Sequence, residues 1–253
     1  SKSEDICVLR DNFYPKKNLV GGQIKDKFQF LELFGSRLQG HQDNIYKRHI
    51  QDLIESNPDM DLDIRGEKTS ITDIISSMQL SNIIYPNISS TKQKDITIEQ
   101  LVGEKGLSKC MNRRGNKYSY KAETLKSHGP IFDIDHIQKY SSKIYAFLKV
   151  LENTEGIVFI YTNFIASGIT PLCLALEQNG YKRFRGGPML QYPKKRPQIK
   201  INTTHNASYM VIDGTTSKKD LEEQLKIVNS KGNINGEKIK IILGTVVASE
   251  GLD

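Results

Sequence analysis

The residues best placed to do chemistry lie in Lys238–Asp253, KIKIILGTVVASEGLD. Ile239, Ile241, Ile242 and Leu243 are apolar, mostly β-branched and bracketed by Gly236 and Gly244, which is the pattern of a buried strand. Past Gly244 the chain offers the Thr245 hydroxyl, a run of small side chains, Gly251 and the Asp253 carboxylate. An open α/β sheet puts its ligand-binding groups at the carboxyl ends of such strands. Gly244 would serve equally as a turn residue, and Asp253 as a helix cap.

Charge supplies a second signal. The net charge is +7, and the excess is concentrated in two segments without an acid. One holds Lys105, Lys109, Arg113, Arg114, Lys117 and Lys121; the other holds Lys182, Arg183, Arg185, Lys194, Lys195, Arg196 and Lys200, leaving the rest of the chain net acidic. Two basic blocks on an acidic background point to a polyanion, of which nucleic acid is the commonest, or else to solvated loops. In 182–208 the cations alternate with Phe184 and Tyr192, a mixture suited to phosphate neutralisation with base stacking. Lys194, Lys195 and Arg196 are the strongest candidates there, on an auxiliary hairpin or loop.

Other chemistries are excluded by what is missing. Nucleotide hydrolysis needs a G-x-x-x-x-G-K-S/T loop and a carboxylate motif for Mg²⁺. Gly66-Glu-Lys-Thr69 shares only the Lys-Thr pair, and no D-E-x-H or D-E-x-D follows a strand. The chain alone is therefore expected to bind no cofactor and to have no ATPase activity. Asp133-Ile-Asp135-His136 reads as a helix cap with solvated charge rather than a metal site. Cys7, Cys110 and Cys173 are widely spaced, without a C-x-x-C, which argues against a disulfide framework or zinc. Cys173 fits a small core residue.

The elements that must position these groups are clearest after residue 140. Ser141–Glu152 has helical apolar spacing; Ile157–Tyr161 is a short, wholly apolar strand, expected to be buried on both faces. Pro171 opens a helix that Asn179-Gly180 closes. Tyr209–Ile212 is the next strand, and Ser217-Lys-Lys-Asp220 caps a helix running to about Asn229. Helix and strand alternating with crossovers of this length describe an α/β fold with a doubly wound parallel sheet. Before residue 140, helices are expected over 26–34, 42–56 and 71–80, and 89–120 as an extended or partly mobile insertion. The division is 1–139 as a partly helical interdomain or insertion region and 140–253 as the α/β domain.

With 253 residues, 37% hydrophobic and 26% charged, the chain is long enough for a real core and reads as a polar, globular protein. No apolar run approaches a membrane span, no secretory signal core is present, and the absence of an initiator Met is taken as a sign of a longer protein.

Read in order, the second half resembles the second RecA-like domain of superfamily 2 helicases. Thr245, Val247, Ala248, Gly251, Leu252 and Asp253 match motif V, T-D-V-A-A-R-G-I/L-D; Val246, Ser249 and Glu250 depart from it, and Glu250 removes a phosphate-binding Arg. Ile157–Phe164 is similar to motif IV. Met210–Asn229 is similar to the strand-Gly-helix unit, with Asp213 in place of its usual His and Gly214 as its Gly. The stretches Tyr140–Ile144, Ser167–Leu172, Leu176–Tyr181 and Gln79–Ile83 with Tyr85-Pro86 resemble helicases of nucleocytoplasmic large DNA viruses, the group that includes the poxvirus early-transcription-factor and termination helicases.

The resemblance implies a carboxyl-terminal motor lobe. Tyr161, Thr162, Asn163, Gly214, Thr215, Gly244 and Thr245 would meet the phosphates of DNA or RNA, while Gly251 and Asp253 would face ATP. ATP and Mg²⁺ would belong to the full-length protein, whose amino-terminal RecA-like domain is an implied partner, together with viral transcription machinery. The location implied is intracellular, in host cytoplasm or virion, with no membrane partner. The rival reading is a Rossmann-like small-molecule transferase or a non-motor nucleic-acid-binding module.

Overall fold

Residues 6–9, 23, 33–56, 71–88, 96–191, 208–214 and 216–249 are described in a computed structural model. Two units emerge, Ser1–Leu38 and Gln39–Asp253. In the first, β1 (Ile6–Leu9) pairs antiparallel with β2 (Leu33–Ser36). The helix expected over 26–34 is not found where it can be checked: Leu33 and Phe34 are in a strand, and 26–32 lie outside the described residues.

The second unit opens with α1 (Gly40–Ser56), which buries Gln42, Ile45 and His49 along one stripe, and α2 (Ile71–Asn82), which buries Leu80. Both helices fall where apolar spacing puts them. The expectation of an extended or mobile 89–120 is corrected from Ile96 onward. A short turn is followed by α3 (Gly103–Cys110) and by the antiparallel hairpin of β3 (Met111–Arg114) and β4 (Lys117–Tyr120). Polar composition hides the anchors: Leu101, Leu107, Cys110, Met111, Tyr118 and Tyr120 are all buried. Two short helices follow, α4 (Ala122–His128) and α5 (Ile134–Ile137), and the Asp133 carboxylate caps α5 by accepting from Asp135 N at 3.0 Å.

The α/β part begins with α6 (Ser142–Leu151), whose first turn is capped by Ser141 Oγ accepting from Ile144 N at 3.0 Å. β5 (Val158–Tyr161), β6 (Lys182–Arg183), β8 (Ser208–Ile212) and β9 (Ile241–Gly244) form an all-parallel sheet in the order β5-β9-β8-β6. Between β5 and β6 the chain makes a π-helical turn (Ile165–Ile169) and α7 (Thr170–Gln178); α8 (Lys218–Val228) joins β8 to β9, and α9 (Val246–Ser249) follows. Alternation sorts the strands onto two faces. Val158, Ile160, Tyr209, Val211, Ile241 and Leu243 join the cluster that includes α6 and α7, whereas Met210, Ile212 and Ile242 pack with Leu221, Ile227 and Ala248.

β5 corrects the expectation of a strand buried on both faces. It is the edge of this sheet, and Phe159 and Tyr161 are 50% and 46% exposed. α8 and α9 cover β8 and β9 on that face, not β5.

All nine residues of α7 are buried, including Glu177 and Gln178. The reason is that residues before 140 pack on its far side. Gln178 Oε1 accepts from Tyr120 Oη at 3.1 Å, and Asn179 Oδ1 accepts from Ile134 N at 3.0 Å while its amide donates to Phe132 O. The core therefore runs continuously across position 139/140. β7 (Leu190–Gln191) stands outside that sheet and joins the hairpin, parallel to β4.

Candidate nucleic-acid interface

Register aligns the strand ends. Tyr161 and Ile212 both stand opposite Gly244, so the segments following β5, β8 and β9 leave the sheet at one level. Two backbone bonds close the row: Thr162 N donates to Gly244 O, and Thr245 N to Ile212 O, each at 3.1 Å. Tyr161, Thr162, Asn163, Gly214, Gly244 and Thr245 are thus gathered along the carboxyl edge of one parallel sheet. Neighbouring strands lie roughly 4.8 Å apart, so the row is about 10 Å long across three strands.

Their accessibility differs. Tyr161, Asn163 and Gly214 are exposed, and Tyr161 Oη donates to Asn163 Oδ1 at 2.6 Å. Thr162 is partly covered, its Oγ1 accepting from Phe164 N at 3.3 Å. Gly244 is buried and Thr245 is only 7% exposed, because the chain turns directly into α9. Gly244 must be small: a Cβ there would lie 2.7 Å from Ala248 Cβ and 3.0 Å from Phe159 Cζ. Thr215, Gly251, Asp253, Lys194, Lys195 and Arg196 lie outside the described residues.

The π-helical turn sits directly behind Thr162. A Cβ on Gly168 would come within 2.5 Å of Thr162 Oγ1, so glycine lets the turn approach the strand end. Single π turns inside helices recur at functional sites. Beside it opens a cavity of about 290 Å³ lined by Asn82, Lys143, Phe147, Tyr161, Thr162 and Ser167. Lys143 Nζ donates to Ser81 Oγ at 2.9 Å and Asn82 Oδ1 at 3.0 Å, and burial lowers its pKa. The Cys110 and Cys173 thiols are pushed by burial up to about 12, which leaves neither a nucleophile near neutral pH. Among the described residues no group of three or more His, Cys, Asp or Glu side chains could hold a metal ion, and no helix is long and apolar enough to cross a membrane.

Two features are not anticipated by residue order. The hairpin 111–120 carries a signal in Gly115-Asn116, a two-residue hairpin turn, with Gly115 at φ +60°. The cavity at Lys143 carries none, since its walls come from four separate stretches of chain.

No protein-family model matches the chain. It is 33% identical over 116 residues to a killer-plasmid helicase of Kluyveromyces lactis, covering 46% of this chain and 17% of that protein. It is 26% identical over 191 residues to a protein named as an ATP-dependent RNA helicase of Acanthamoeba polyphaga mimivirus, covering 75% and 26%. It is 32% identical over 120 residues to a protein named as a helicase of Invertebrate iridescent virus 3, covering 46% and 11%. The chain spans about a quarter or less of the length of these relatives. Its similarity is thus to helicases of viruses and of a plasmid, and its α/β architecture with a parallel sheet is consistent with a RecA-like fold.

Proposed function

We propose that residues 140–253 are the carboxyl-terminal RecA-like lobe of an ATP-dependent superfamily 2 helicase, of the kind carried by nucleocytoplasmic large DNA viruses. The described residues of 39–139 pack on that lobe. The lobe grips one strand of DNA or RNA by its phosphates at the carboxyl edge of the sheet. Tyr161, Asn163 and the Gly214 loop present the accessible groups, and Gly244 with Thr245 forms the floor beneath them. The observation that supports this most is the convergence at one sheet edge of three segments far apart in sequence, in a chain whose relatives are named helicases.

ATP and Mg²⁺ act in the full-length protein, supplying the free energy of phosphoryl transfer. The sequence here holds no G-x-x-x-x-G-K-S/T loop. Most of that site is therefore assigned to the partner RecA-like domain, with Gly251 and Asp253 contributing one wall. What this chain does is hold phosphates and orient the strand across the cleft. In a viral setting it would work in the host cytoplasm or virion beside transcription machinery.

Binding of the chain to fluorescein-labelled oligo-dT and oligo-U tests the reading. Tyr161→Ala with Asn163→Ala is expected to weaken binding several-fold, as removal of a stacking or polar interaction does. ATP hydrolysis stimulated by nucleic acid in the 253-residue chain alone would overturn the assignment.

A further inference from the structure

Strand pairing brings the two basic blocks onto one small sheet. β4 ends the first block and pairs parallel with β7 in the second, Tyr118 facing Leu190 and Ser119 facing Gln191, with Tyr118 N donating to Met189 O at 2.7 Å. Residues more than seventy positions apart, carrying cations on both sides and no acid within either block, therefore share a backbone ladder.

The hairpin turn is the exposed part of this sheet. Asn112, Arg113, Arg114, Gly115, Asn116 and Lys117 are all exposed, and a side chain added at Gly115 would meet nothing within 4 Å. Arg113 is held in place, its Nη1 3.4 Å from Glu104 Oε1 and its guanidinium 5.6 Å from the centre of the Tyr118 ring. Arg114 and Lys117 face each other across the turn, and among the described residues neither side chain has an ion-pair or hydrogen-bond partner.

The turn is also connected to the strand-end row. Glu104, which holds Arg113, follows Gly103, whose N–H donates to Ser167 Oγ at 2.9 Å. Ser167 belongs to the π-helical turn that leads out of Tyr161–Asn163. The hairpin is thus joined through Glu104 and Gly103 to Ser167, a few residues along the chain from Asn163.

We propose that the β3–β4 turn is a second nucleic-acid contact, in which Arg114 and Lys117 neutralise backbone phosphates of the strand held at Tyr161–Asn163. The tip offers cations and no aromatic ring, since Tyr118 and Tyr120 are buried in the core. Its contact is therefore with phosphate and independent of sequence. This rests on the reading of the chain as a helicase lobe.

The test is equilibrium binding of the full chain to fluorescein-labelled oligo-dT and oligo-U across a salt series. Arg114→Ala with Lys117→Ala should weaken binding several-fold at low salt. It should also reduce the slope of log K against log salt by roughly 0.7 for each phosphate that is no longer neutralised. Lys149→Ala, an exposed cation already paired with Glu152 at 3.4 Å, should leave the slope unchanged. If the native chain binds neither oligonucleotide, the helicase-lobe reading itself fails. If it binds and the double variant keeps the native affinity and slope, the turn does not touch nucleic acid. Pull-down by an acidic polypeptide that is abolished in the double variant while oligonucleotide binding persists would likewise overturn the proposal.

Discussion

Thr162 N–H donates to Gly244 O at 3.1 Å, tying the segment after β5 to the last residue of β9. That bond sets the geometry of the proposed strand grip, and both partners sit in places that tolerate no extra atoms. Gly168→Ala would drive a methyl against Thr162 Oγ1, and Gly244→Ala would drive one against Ala248 and Phe159. Each is expected to cost about 1–3 kcal/mol by overpacking. Gly168→Ala should also weaken oligonucleotide binding more than its stability loss accounts for, read by urea unfolding beside fluorescence anisotropy.

Glu177 is a buried carboxylate, 1% exposed, accepting from Tyr209 Oη at 2.6 Å, Leu190 N at 2.6 Å and Met189 N at 3.0 Å. It fastens the start of β7 to β8. Burial raises the Tyr209 pKa well above its ordinary value, so the phenol stays a donor. Glu177→Ala strands two N–H groups and a hydroxyl, which should cost roughly 3–5 kcal/mol. Tyr209→Phe, by urea unfolding, should cost about 1–3 kcal/mol.

Asn233 is fully buried and organises the entry to β9: its Oδ1 accepts from Lys238 N and Ile239 N, both at 2.8 Å, and its amide donates to Ile239 O at 3.2 Å. Asn233→Ala should lower stability by about 2–3 kcal/mol through unpaired buried groups, measured by urea unfolding. Asn233→Asp keeps both acceptor contacts but turns a buried carboxylate oxygen toward Val228 O and Ile239 O, so at neutral pH it should be no milder than Asn233→Ala.

His41 and His128 meet at Tyr140. His128 Nδ1 lies 3.1 Å from Tyr140 Oη, and the His41 and Tyr140 ring centres are 5.9 Å apart. Burial is the main cause that lowers both pKa values below the ordinary 6.5; the neighbouring charge of His128 and Arg48 adds to it for His41, and that of Lys139 for His128. A depressed histidine binds fewer protons folded than unfolded, so stability is full above about 6.5 and falls as pH drops through that value. Urea midpoints should therefore decline between about pH 7 and 5. His128→Gln should flatten that decline, and an unchanged pH profile in His128→Gln would remove His128 as a contributor.

Several elements can be read directly from residue order. The Ser217 cap is present, its Oγ accepting from Asp220 N at 3.1 Å, and so are the helices around Ile45, Leu148 and Leu174 and the strands at Met210 and Ile242. The 96–120 region resists such reading because its buried residues are few and separated by lysines and glycines, so no single period marks them.

Sequence alone determined the strands β5, β8 and β9, the Ser217 cap and the α/β alternation after residue 140, because these depend on side-chain period, turn residues and groups only a few positions apart. The tertiary structure decided that β5 is an edge with Phe159 and Tyr161 half in solvent, that Thr245 is covered by the turn into α9, and that β4 meets β7. Those outcomes depend on which distant strands exchange hydrogen bonds and which faces find a helix to cover them. Backbone pairing is blind to residue type, so local pattern leaves the order of strands open until the whole core packs.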